Sequence, residues 1–336
     1  MDDTTGSGAP EPEREFGPQD VRLMQGLAQE VEALRPEFAN SDATFGELAW
    51  SWGKDVAQVG HTWRHRLWFD GERLIGWGWA HLPYQVARTD GKLLEVKEAF
   101  LAWQTHPERP EVLDGIIDWF DAQAPQADHT VVPSAANKYA LSRLAAHGYR
   151  FDEEAGGDTG HWTQYNARDL AEIDDPAPPP GFRFRTAGEV GPAAAVRAHQ
   201  DAWYPSSFTE RSLDGVQRMW PYREDLHVLL EAPDGTLVAS TIMWLDERNR
   251  TAEFEPVGTH RDYRRQGLGS ALLLHGMHKA REAGATRMTV ACLGAPAHPA
   301  ARGLYLGVGF REFTRDAPYI KRGSERGNEP GIESAA

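Results

Sequence analysis

Cysteine is almost absent. A single residue, Cys292, serves 336 positions, so no disulfide framework holds the fold, and a reducing compartment suits the chain. No apolar run approaches the roughly 20 residues needed to cross a membrane. The opening Met-Asp-Asp-Thr-Thr-Gly lacks the apolar core of an export signal. These absences make a soluble cytoplasmic protein with no membrane role the expectation. Positive charge is scarce as well: 35 Lys and Arg face 50 Asp and Glu, for a formal net charge of −15. That balance speaks against nucleic acid as a partner. It does not forbid a phosphorylated ligand, because charges beyond roughly 8 Å are damped at physiological salt. Against these absences stand 12 Trp and a hydrophobic content of 40%, enough for substantial cores, on a length that points to two domains.

The chemistry-bearing stretch is residues 257–270, Val-Gly-Thr-His-Arg-Asp-Tyr-Arg-Arg-Gln-Gly-Leu-Gly-Ser. It reads as an extended segment, a basic glycine loop and the start of an apolar helix from Ala271 to Ala283. A helix start leaves backbone N–H groups unpaired and carries partial positive charge, which makes it a seat for phosphate. Gly267 and Gly269 let the backbone approach an anion, and Arg264 and Arg265 add charge-assisted hydrogen bonds. No lysine lies in the loop, so it is not a nucleotide P-loop. Leu272 stands where a dinucleotide fingerprint needs a third small residue. A polar turn that merely caps a helix is the structural alternative.

Arg264-Arg265-Gln266-Gly267-Leu268-Gly269 resembles the core motif of the GNAT superfamily of N-acetyltransferases. Ala301-Arg-Gly-Leu304-Tyr305-Leu-Gly-Val-Gly309-Phe310 resembles that family's next signature, and Arg287 to Cys292 reads as the strand between them. His298 stands about where the family often has Asn. The resemblance implies acetyl-CoA as donor, with its pyrophosphate on the loop formed by Arg264, Arg265, Gln266, Gly267, Leu268, Gly269 and Ser270. It implies that the backbone of Val257, Gly258 and Thr259 pairs with the pantetheine, and that Tyr305 gives a proton to the departing thiolate. Without the motif, Tyr305 is a core aromatic beside Leu304.

Residues 1–18 and 323–336 read as disordered tails, and the proline run within 167–181 as a linker. After it come a strand at 182–185, a helix from Gly188 to Trp203 and a hairpin around Pro233-Asp-Gly235. The strand Thr251 to Thr259 and the motif helix follow. This order suits an α/β (α+β) fold, a mixed sheet flanked by helices. Residues 19–166 repeat it faintly: a hairpin around Asp70-Gly71-Glu72, a strand at Leu93 to Gln104, a helix at Val112 to Phe120, and Asn137 to Tyr149 echoing the later signature. Two GNAT-like acyl-CoA N-acyltransferase domains in tandem, 19–166 and 182–322, are the expectation. The first copy has no Gly-x-Gly. Glu108, Glu111 and Asp114 at its helix start satisfy the dipole and repel a pyrophosphate, so a single cofactor site is expected. Trp50, Trp52, Trp63, Trp68, Trp77 and Trp79 read as core and interface packing.

Amine acetylation needs a base. Glu253 and Glu255 alternate on one strand and so share a face, where one carboxylate raises the pKa of the other. Solvated acids on an exposed face are the plainer alternative. Trp203, Tyr204, Phe208, Trp220 and Tyr222 form either an acceptor wall or core. His61/His65 and His275/His278 lack a third ligand, so no metal is expected, and Cys292 reads as a small buried hydrophobe. The expectation is a monomer or homodimer that transfers an acetyl group from acetyl-CoA to the primary amine of a small molecule by direct attack in a ternary complex. A mycothiol-synthase-like tandem enzyme and a non-catalytic acetyl-CoA-binding sensor or scaffold are the rivals.

Overall fold

The computed structural model describes residues 16–157, 160, 162–294 and 298–324, so the expected tails fall almost wholly outside it. The first half runs α1 (Pro18–Leu34), α2 (Phe45–Val59), β1 (Trp63–Asp70), β2 (Arg73–His81), β3 (Tyr84–Ala87), β4 (Leu93–Val96) and β5 (Ala99–Thr105). It continues through α3 (Val112–Asp121), β6 (His129–Val131), α4 (Lys138–Ala146), β7 (Arg150–Phe151) and a short α5 (Glu153–Gly156), and β8 (Thr163–Asp169) then leads out of it. The second half begins with β9 (Arg183–Thr186), α6 (Ala187–Val190), α7 (Pro192–Ala202), α8 (Glu210–Gln217), β10 (His227–Glu231) and β11 (Leu237–Asp246). It ends with β12 (Thr251–Thr259), α9 (Leu268–Glu282), β13 (Arg287–Leu293), α10 (Pro299–Gly307), β14 (Arg311–Arg315) and β15 (Tyr319–Lys321).

Both hairpins form at the anticipated turns. Two elements differ from the sequence reading. The strand expected over Leu93 to Gln104 is two strands, because its first part pairs with β3 on a separate two-stranded arm. The helix expected from Gly188 to Trp203 is broken by Gly191 at φ 80° and by Pro192, which starts α7 anew.

The sheets share one plan. The first has the order β1-β2-β5-β6-β15-β7; the second, read the same way, is β10-β11-β12-β13-β8-β14 with β9 added outside β10. In each, one parallel pair, β5–β6 or β12–β13, sits among antiparallel neighbours. In each, the strand beyond that pair comes from the other half: β15 pairs with β6, and β8 with β13. The exchange is reciprocal, so the halves are interlocked by backbone hydrogen bonds.

Helices α1, α2, α7 and α8 fill the space between the sheets. Their core takes Trp77 and Trp79 from the first sheet and Leu229, Ile242 and Trp244 from the second. The six tryptophans named above are all buried, as packing residues should be. Helices α2 and α8 cross at Gly53 and Gly215, where a Cβ on Gly215 would run into the carbonyl of Gly53. Outer layers cover the remaining faces: α3 and α4 through Ile116, Phe120 and Leu144, and α9 through Leu272, Leu273 and Met277.

Candidate active site

Strands β12 and β13 pair from Thr251↔Arg287 only as far as Phe254↔Val290, although β12 continues to Thr259 and β13 to Leu293. Beyond Phe254 they part, so the edge of residues 255–259 that faces β13 is left without ladder partners. The other edge stays paired to β11 through Val257, Gly258 and Thr259. The indole of Trp244 donates to the carbonyl of Glu255 at 2.7 Å and fixes the strand where it bends away.

The loop after β12 ends on Gly267, which caps α9 in the left-handed region at φ 79°. Arg265 is also left-handed, at φ 62°. Ala271 is the first residue of the helix whose amide bonds back, to Gly267 O at 3.0 Å. The amides of Leu268, Gly269 and Ser270 have no acceptor among the described residues. An open helix start with a glycine cap is the donor set a pyrophosphate requires. Arg264 is used differently from the sequence reading. Its guanidinium donates to Thr259 O at 3.1 Å and Ala202 O at 3.2 Å, and so ties the loop to α7. Arg265 and Gln266 are exposed, while the Leu268 side chain is buried in the core. Gly258 was expected to face a ligand; the Trp203 ring covers its Cα so closely that no Cβ fits.

The first half has closed both features. The amides of Val112, Leu113 and Asp114 bond to the carbonyls of Arg109, Pro110 and Glu111 at 3.1 to 3.3 Å. Its carboxylates do not cap the helix, contrary to the sequence reading. Cations outcompete the helix dipole for them: Glu111 pairs with Arg109 at 2.6 Å, and Asp114 with Arg143 at 2.7 Å. The opening between β5 and β6 is filled by the α1–α2 connection. Asn40 donates to Trp103 O at 3.1 Å, and Ser134 donates to Glu37 O at 2.6 Å.

Glu253 and Glu255 look into different spaces. The Glu253 carboxylate accepts from Thr44 Oγ1 and, at 2.7 Å, from Gly46 N, and so caps the start of α2 across the two halves. Burial pushes it up to about 7, against the pull of those two bonds. Beside it, burial and the neighbouring Glu253, Asp42 and Glu255 hold Glu47 far above the carboxylate range. Glu255 instead lines a cleft of about 360 Å³ with α2, the end of α7 and residues 205–208. Burial and Glu253 push Glu255 up to about 8, with Lys54 pulling the other way. Burial opposes the Lys54 charge, but Asp55, Asp42 and Glu255 outweigh it and hold the ammonium. Lys54 pairs with Asp55 at 3.1 Å.

Of the expected acceptor wall, Trp203 and Phe208 face this cleft, on either side of His199 with ring centroids 4.2 and 4.1 Å away. Burial and Lys54 push His199 down to about 3, so it is neutral. Tyr204 is half exposed under the Arg261 guanidinium. Trp220 and Tyr222 lie elsewhere: Arg22 stacks on Trp220 at 3.4 Å, and the Tyr222 hydroxyl meets His227 Nδ1 at 3.1 Å. Tyr305, on α10, is buried. Burial, with Cys292 and Glu255 nearby, raises its phenol, which keeps its proton. Cys292 is only partly buried and accepts from Asn166 Nδ2 at 3.7 Å.

Residues 193–310 match the profile of the acetyltransferase (GNAT) family. That stretch is similar to a GNAT acetyltransferase domain. The fold of the chain as a whole is similar to that of solved GNAT structures, a tandem one among them. A tandem GNAT protein from the clavulanic acid biosynthesis pathway superposes with a TM-score of 0.61 at 14% identity, over 94% of this chain and 99% of the other. A GCN5-related N-acetyltransferase from Sphaerobacter thermophilus gives 0.57 at 18% identity, with 96% of each chain covered. A GNAT-family acetyltransferase from Colwellia psychrerythraea gives 0.54 at 12% identity, over 94% of this chain and 100% of the other. No curated protein matches significantly. No helix among the described residues is long and apolar enough to cross a membrane.

Sequence reasoning missed part of the cleft lining: Lys54 and Asp55 come from α2, outside the matched residues, His199 comes from α7, within them, and Trp50 was read only as packing. Trp50 and Lys54 are four apart and therefore share a helix face, but nothing local to α2 says that this face meets another domain's strand.

Proposed function

We propose that the protein is an N-acetyltransferase that moves an acetyl group from acetyl-CoA to the primary amine of a small molecule, by direct attack with both substrates bound. One observation carries this reading: β12 parts from β13 after Phe254, places Glu255 in the lining of a cleft, and runs through one loop into a helix start whose first amides are unpaired. Acetyl-CoA supplies the acetyl group as an activated thioester. The amides of Leu268, Gly269 and Ser270, on the Gly267 turn, hold its pyrophosphate, with Arg265 and Gln266 at the rim. The free edge of Val257, Gly258 and Thr259 takes the amide groups of the pantetheine. Glu255 removes the proton from the acceptor nitrogen at a carboxylate oxygen, and the hydroxyl of Tyr305 protonates the departing sulfur. Glu253 is a positioning residue in this scheme: it anchors α2, which brings Lys54 and Asp55 to the cleft. Trp203 and Phe208 form the acceptor wall; Trp220 and Tyr222 support the core.

Thiol release measured over a panel of amines, with calorimetry of acetyl-CoA alone, tests the reading. Gly267→Glu is expected to abolish both binding and turnover. Unchanged binding in that variant would remove the pyrophosphate seat. Binding by the parent protein without turnover of any amine would leave a donor-binding protein that is not an enzyme.

A further inference from the structure

The halves differ in one connection. β11 passes to β12 through residues 247–250, but β2 passes to β5 through residues 82–98, which carry β3 and β4 as a two-stranded arm. The fold does not require the arm, since the second half makes the same link without one. Its tip is tightly formed: Arg88 N donates to Lys92 O at 2.9 Å, and Gly91 takes φ 77°. That tip lies against the acceptor cleft of the other half. Thr89 N donates to Ser206 O at 2.8 Å, and Ser206 N donates to Thr89 Oγ1 at 3.0 Å. Ser206 is buried, and its hydroxyl accepts from Phe208 N at 3.1 Å, so the clamp is passed on to the cleft wall. Gln58 of α2 adds a bond to Ser207 O at 2.9 Å.

The first half shows what the corresponding loop does without such a clamp. Residues 35–44 link α1 to α2 as residues 203–209 link α7 to α8. Residues 35–44 lie in the opening of their own sheet, bonded to Trp103 and Ser134. Residues 203–209 stand aside and leave a cleft.

We propose that the arm is a positioning element of the acceptor site: Thr89 holds the α7–α8 loop off the β12–β13 opening, so the first half sets the affinity of the second for its amine. The word amine rests on the function proposed above; the clamp does not.

The test uses the full chain and two variants of an exposed residue, Thr89→Val, which loses the hydroxyl, and Thr89→Ser, which keeps it. In Thr89→Val, amide hydrogen exchange over residues 204–208 is expected to speed up several-fold. Acylation of Lys54 inside the cleft, followed by peptide mass spectrometry, is expected to slow several-fold relative to Lys138. With an accepted amine, its KM is expected to rise roughly two- to tenfold, the size of one lost hydrogen bond. Turnover number and acetyl-CoA affinity are expected to stay within about twofold, and Thr89→Ser to restore the parent behaviour. Unchanged exchange or unchanged Lys54 labelling overturns the clamp, and an unchanged KM overturns its acceptor role. If the parent turns over no amine, the functional reading fails, while exchange and labelling still decide whether Thr89 holds the cleft open.

Discussion

Replacing Glu255 with Gln removes the one carboxylate on β12 that faces the acceptor cleft and leaves the bonds of Glu253 to α2 in place. The base must be ionised to work. With its carboxyl pushed up to about 8, about a tenth of the protein has it ionised at pH 7 and about nine-tenths at pH 9. The parent kcat/KM is therefore expected to rise about tenfold between those pH values and then level off. A protonated acceptor amine adds a rising limb of its own, so the profile is measured with several amines of different basicity. The Glu255 limb stays near pH 8 for all of them, while the amine limb moves with each. In Glu255→Gln the fixed limb disappears and kcat/KM on the plateau falls by about 10² to 10⁴-fold, the usual worth of a positioned base. Lys54→Met moves the fixed limb to higher pH, because the cation that favours the carboxylate is gone. A fixed limb that survives in Glu255→Gln, or a profile that follows only the amine, would refute this role.

Three further outcomes are expected. Tyr305→Phe lowers kcat by about 10²-fold or more, with acetyl-CoA affinity within twofold by calorimetry; full turnover at every pH would assign the proton elsewhere. Gly215→Ala forces a methyl against the Gly53 carbonyl where α2 crosses α8, with a cost of about 1–3 kcal/mol or more in urea unfolding. Because β8 and β15 are exchanged between sheets, unfolding is expected to be one transition, coincident by far-ultraviolet circular dichroism and tryptophan fluorescence. Ile320→Ala, in the buried part of β15, shifts that whole transition by about 2–4 kcal/mol without splitting it.

The open helix start after the glycine loop was legible because its signals are local. A strand, a glycine able to take a left-handed φ and an apolar helix follow one another within residues 251–282, and the chemistry of a helix start depends on little else. The same holds for both hairpins. The pair Glu253 and Glu255 was legible as a pair but not in its division of labour. Alternation puts two side chains on one face, and what packs on that face decides their fates. Here the start of α2 takes Glu253, and the cleft is left to Glu255.

The sequence by itself determined the second half's hairpin, the strands β12 and β13, the helix α9 and its open start, since each depends on neighbours along the chain. Tertiary structure alone decided that β8 and β15 change sheets, that residues 35–44 plug the first opening, that α2 lines the cleft of the second half, and that the β3–β4 arm bonds to the wall of that cleft. Those contacts join residues such as Thr44 and Glu253, 209 positions apart. A segment's composition shows that it forms a strand or a helix, but the edge it completes depends on which unpaired backbone and which apolar face the rest of the fold leaves open.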